Sequence, residues 1–83
     1  MRTRILMVGE IDGDGIQFQL DETKNTYMWK GEATLGYGIH RIVRDTDMNE
    51  VETLHDVQQS VAGALFEFNK LAVLIKAGAF KSN

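Results

Sequence analysis

Cysteine and proline are both absent from these 83 residues. No disulfide can staple the chain, and nothing in its composition points to an oxidising compartment. Without proline, the usual device for blunting an exposed sheet edge is missing, and charges such as Arg41 and Arg44 must discourage further pairing instead. Long apolar runs are absent as well. Glu67, Asn69, Lys70 and Lys76 interrupt the most apolar stretch, which never reaches the roughly 18 uncharged residues that cross a bilayer. The start, Met1-Arg2-Thr3-Arg4 and then Ile5 to Val8, has the charge order of a signal peptide, but Gly9 and Glu10 end the apolar run too early. The expectation is a soluble, cytoplasmic protein without a membrane segment.

A strong charge of either sign is also lacking. The net charge of −3 is too mild to name a partner, but it is unevenly spread. Residues 1–44 are balanced, whereas Asp45, Asp47, Glu50, Glu52 and Asp56 follow one another with no intervening base. A chain this short buries only about 60–65% of the surface its unfolded form exposes, so its core is thin. Small folds without staples often gain stability by associating, which makes a homodimer the first expectation.

What is present is a clear set of periods. Thr3 to Glu10 holds the continuous apolar run Ile5-Leu6-Met7-Val8, read as a strand. Asp12-Gly13-Asp14-Gly15 supplies a tight turn, and Ile16, Phe18 and Leu20 then alternate with Gln17 and Gln19, so a hairpin is expected. Thr26 to Lys30 reads as a third strand and Leu35 to Arg44 as a fourth. In that fourth strand Gly36 and Gly38 mark a bulge or a close backbone approach, and the strand is expected to be irregular or at an edge. Leu54, Val57, Val61, Ala64, Phe68, Leu71 and Ile75 step by three and four, the spacing of one helical face. The fold expected is therefore α+β in a single domain: an antiparallel sheet of about four strands over 1–44, a cap and linker over 45–49, one long C-terminal α-helix over 50–77 and a tail over 78–83. A helix of that length, about 40 Å, would outrun so small a body. Gly78 is its expected stop.

Candidate chemistry is sparse. Glu10, Asp12, Asp14 and Asp21 fall at calcium-loop spacing with Gly15 at the sharp turn, but position eight of that loop is Gln17 and its flanks read as strands. A plain hairpin turn is the preferred reading, and no cofactor or metal is assigned. Tyr27, Trp29 and Tyr37, interleaved with Lys30, Arg41 and Arg44, could offer bases a stacking face; the absence of a basic excess makes nucleic acid the second choice. His40 and His55 lie in different elements without a metal spacing, and Ser60 and Ser82 are the only serines, neither in a nucleophile turn. An enzyme is not expected.

The helix carries the strongest functional clue, since Leu65, Phe66, Val73 and Leu74 make its second half apolar nearly all round. Val61, Ala64, Leu65, Phe68, Leu71, Leu74 and Ile75 are the expected oligomer interface. Asp45, Asp47, Glu50, Glu52, Tyr37, Arg41 and Arg44 are the expected partner-binding surface. Together these features predict a small protein-binding module, an inhibitor or adapter of a larger protein, of the kind viral genomes often encode. A calcium-dependent module is the third reading.

Overall fold

Alternation along residues 16–20 requires a strand with one dry row and one wet row, and the structure builds its sheet outward from that strand. The computed structural model describes residues 4–10, 16–44, 47 and 49–79. Its elements are β1 (Arg4–Glu10), β2 (Ile16–Asp21), β3 (Asn25–Trp29), β4 (Glu32–Arg44), β5 (Glu50–Gln58) and the helix α1 (Val61–Lys76). All strand pairs are antiparallel: β1 with β2, β2 with residues 39–43 of β4, and β5 with residues 37–44 of β4. Four strands thus lie abreast in the order β1-β2-β4-β5, and β3 pairs with residues 32–36 of the long β4.

The turn between β3 and β4 is the two-residue type whose twist suits a hairpin. Lys30 and Gly31 both have positive φ, 53° and 82°, and only the second is the residue that adopts this without strain. The turn Asp12–Gly15, expected between β1 and β2, lies outside the described residues, but the two strands pair as that hairpin requires.

One face of the sheet is dry. Phe18 and Leu20 of β2 and Ile39 of β4 pack against Ala64, Phe68 and Leu71 of α1, with Ile16, Tyr37, Leu65 and Ile75 at the margin. Each large apolar side chain so buried contributes on the order of 1.5–3 kcal/mol of transfer free energy. A helix laid across one face of an antiparallel sheet is the simplest way to cover it.

The helix is shorter than the apolar period suggests. It has 16 residues, about 24 Å at 1.5 Å per residue, and fits within a body of 35 × 25 × 22 Å. Residues 50–58 form β5 instead. Val51, Thr53 and Val57 are β-branched and favour a pleated strand, and a strand there pairs the backbone of β4 along 37–44, which would otherwise present open donors and acceptors. The helix begins at Ser60, whose hydroxyl accepts from the Gly63 N–H at 3.0 Å. Of the cap expected over 45–49, Asp45, Thr46 and Met48 lie outside the described residues.

The other end stops where expected. Gly78 has φ 76°; its N–H donates to the Ile75 carbonyl at 3.1 Å and the Ala79 N–H to the Leu74 carbonyl at 3.0 Å. These two bonds are the Schellman closure. The fourth strand of the sequence reading is not at an edge, because β2 and β5 flank it on both sides along 39–43.

Candidate interaction surface

A polar cluster lies beneath the face opposite the helix. Asp21, at the end of β2, is fully buried, and His40 of β4 is 1% exposed. The Gly38 N–H donates to the Tyr27 hydroxyl oxygen at 3.1 Å, the Tyr27 hydroxyl donates to Asp21 Oδ2, and His40 Nε2 lies 2.6 Å from that same oxygen. One carboxylate oxygen thus gathers two partners from two strands. His40 Nδ1 faces Glu52 Oε2 at 3.9 Å. Burial pushes the Tyr27 phenol above its ordinary value, and its bond to Asp21 adds to the rise, while Asn25 and the Gly38 N–H oppose it. Such a chain can hold a proton, but with Asp21 and His40 shut from solvent it offers no surface to a substrate. It locks the break between β2 and β3 onto β4.

Gly38 makes room for this lock. A Cβ there would stand 2.6 Å from Tyr27 Cζ, so the ring lies directly on the glycine backbone. Gly36 is equally tight against β5, where a Cβ would meet the Gln58 carbonyl oxygen at 2.6 Å. The close approach expected of these glycines is present at both.

The acidic stretch does not form one surface. Glu50 pairs with Arg44 at 2.7 Å, and Glu52 turns toward His40. Asp56 accepts from the Val57 N–H at 2.9 Å and from Gln58 Nε2 at 2.7 Å. Between them, His55 is the extra residue of a β-bulge, since Ile39 opposes Asp56 and His40 opposes Leu54. The bulge sets the His55 ring edge-on to Phe18, with centroids 5.0 Å apart. Asp47 is exposed, and Asp45 lies outside the described residues.

The remaining expected residues divide in the same way. Ala64, Phe68 and Leu71, read as oligomer interface, are 1%, 4% and 6% exposed within the chain's own core, so they cannot also face another chain. Leu65 and Ile75 pack at the core margin. Val61 and Leu74 stay exposed. Tyr37 is half-buried against the core, and the β4 edge offered for a partner is already paired on both sides. Arg41 remains exposed. The aromatic set does not share a face: Tyr37 packs toward the helix, whereas Tyr27 serves the opposite cluster. Asp21, the last position of the calcium-loop reading, is committed to Tyr27 and His40, and Asp12 to Gly15 lie outside the described residues.

Among the described residues Met28, Leu35 and Val51 are exposed singly on the strands, whereas the outer side of α1 gathers several exposed apolar side chains. Phe66 is 64% exposed, Val73 65% and Leu74 41%, large apolar side chains on the side of the helix away from the sheet. Ala62 and Ala77 continue the stripe at four-residue spacing, and both are exposed. Lys70 crosses the middle, with its ammonium 5.5 Å from the Phe66 ring centroid and 3.3 Å from Glu67 Oε2. Lys70, Val73 and Leu74 line a shallow apolar cleft of about 270 Å³. Sequence periodicity had placed Phe66 and Val73 outside the main stripe, which was the available signal for this face. No helix among the described residues is long and apolar enough to cross a membrane. No protein family, curated protein or solved structure matches the chain.

Proposed function

We propose that this chain is a small non-enzymatic protein-binding module, an inhibitor or adapter of a larger protein, and that the outer face of α1 is a protein-contact surface. The observation that carries this reading is the double-sided helix. Ala64, Phe68 and Leu71 satisfy the sheet, while Phe66 and Val73, each about two-thirds exposed, stand in water on the far side. The largest apolar patch on a small monomer, commonly a few hundred Å², is often a functional one. The buried cluster of Asp21, Tyr27 and His40 is closed to substrates, which favours binding over catalysis. Native purification of the wild type beside a Phe66→Lys, Val73→Lys variant tests the reading. Protein mass above 9.3 kDa that the variant loses supports it. A bare wild-type monomer from the same preparation refutes it.

A further inference from the structure

We infer that the partner on the outer face of α1 is a second copy of this chain, packed antiparallel about a two-fold axis between Asn69 and Lys70; this rests on the binding reading above. The sequence of that face is symmetric about this point. Ala62 and Ala77 are equidistant from the midpoint of Asn69 and Lys70, and so are Phe66 and Val73. The stripe therefore reads small, large, polar, polar, large, small in either direction. An isologous contact needs such a self-complementary patch, because each residue must meet the partner residue at its mirror position.

The shape agrees with the pattern. In an antiparallel pair centred at that point, Phe66 stands at the height of the partner's Val73. It faces the cleft between Lys70, Val73 and Leu74, which has room for a phenyl ring. The same fit repeats on the other side of the axis, and the alanines at both ends let the backbones approach.

Charge at the axis is mixed. Glu67 and Lys70 already pair within the chain at 3.3 Å, with Lys70 reaching over the stripe toward Phe66. Across the axis each Lys70 comes within two residue rises, about 3 Å in height, of the partner's Glu67. Lys70 itself stands only half a residue rise from the axis, so its two copies meet there and the Glu67 carboxylates on the same flank serve to offset that like-charge contact, while the antiparallel helix dipoles oppose one another favourably.

Area sets the strength. Phe66, Val73 and Leu74 leave on the order of 300 Å² of apolar side chain exposed, so two faces bury roughly 600 Å², well under half of the roughly 1,600 Å² of a standard interface. The dimer is accordingly a weak one that follows concentration.

The absence of cysteine makes cross-linking a clean test. Asn69 and Ala62 are both exposed, so Asn69→Cys and Ala62→Cys leave the core untouched. Under mild oxidation the full chain with Asn69→Cys should form a disulfide-linked dimer, since the two copies meet at the axis. Ala62→Cys should not, because its copies stand about 22 Å apart along the helix pair. Cross-linking of both variants would mean a parallel pair, and cross-linking of neither beside a dimeric mass would mean a different face. Either overturns this inference and leaves the binding reading intact. A monomeric mass for the wild type at every concentration overturns the second copy as partner, and the native purification above then decides the binding reading by itself.

Discussion

Replacing Tyr27 with phenylalanine removes one oxygen and leaves the ring on Gly38. That oxygen accepts from the Gly38 N–H and donates to Asp21 Oδ2, so the change leaves a buried N–H without its acceptor and takes one donor from a buried carboxylate. A hydrogen bond to a charged group contributes about 1.5–3 kcal/mol, and the phenol no longer has to be stripped of water, which offsets part of the loss. The expected cost is about 2 kcal/mol. For a domain of this size each kcal/mol moves the midpoint by about 4–8 °C, which places the shift near 8–16 °C. Urea and thermal unfolding followed by far-ultraviolet circular dichroism would read it, with an unchanged m-value if only the folded state is affected. Tyr37→Phe is the control, because Tyr37 is half-buried at the margin of the core and lies outside the Asp21 cluster; it should cost less than about 0.5 kcal/mol. A Tyr27→Phe loss no larger than that control would refute the claim that the cluster holds β2 and β3 to β4.

Other expectations follow from the same contacts. Because the Tyr27 phenol is held above its ordinary value of 10.0, its contribution to stability is complete below pH 10.0 and is lost as pH rises toward the higher folded value. An alkaline titration of unfolding should show this loss in the wild type and a smaller one in Tyr27→Phe. Gly38→Ala drives a Cβ to 2.6 Å from the ring and should cost about 1–3 kcal/mol, while Gly31→Ala meets no atom and pays only for its φ of 82°; equal losses would contradict the close approach. Leu71→Asp places an unpaired charge in the core rather than in a seam between chains, so circular dichroism should report an unfolded protein and not a folded monomer.

The sheet was legible because period two leaves little freedom: Ile16, Phe18 and Leu20 had to face one side, whereas Lys30, read as the end of a strand, belongs with Gly31 to the turn. The helix was misread at its start because Leu54 and Val57 happen to continue the spacing of Val61 and Ala64. The β-branched Val51, Thr53 and Val57 and the capping Ser60 were the competing signals, and tertiary pairing with β4 decided between them. The central place of β4 depends on β5, so losing that strand also put β4 at an edge. Asp21, Tyr27 and His40 lie far apart in sequence, and no spacing announces a cluster that only the register brings together. The apolar excess on α1 was visible, but which side of the helix the sheet would take was set by the strands and not by the helix itself.

Sedimentation equilibrium of the intact chain over micromolar to millimolar concentrations tests the central claim most directly. The mass should rise from 9.3 kDa toward twice that value, with Phe66→Lys shifting the rise to roughly ten-fold higher concentration or beyond. A wild-type mass fixed at 9.3 kDa throughout, or a dimer that Phe66→Lys leaves unchanged, would contradict it.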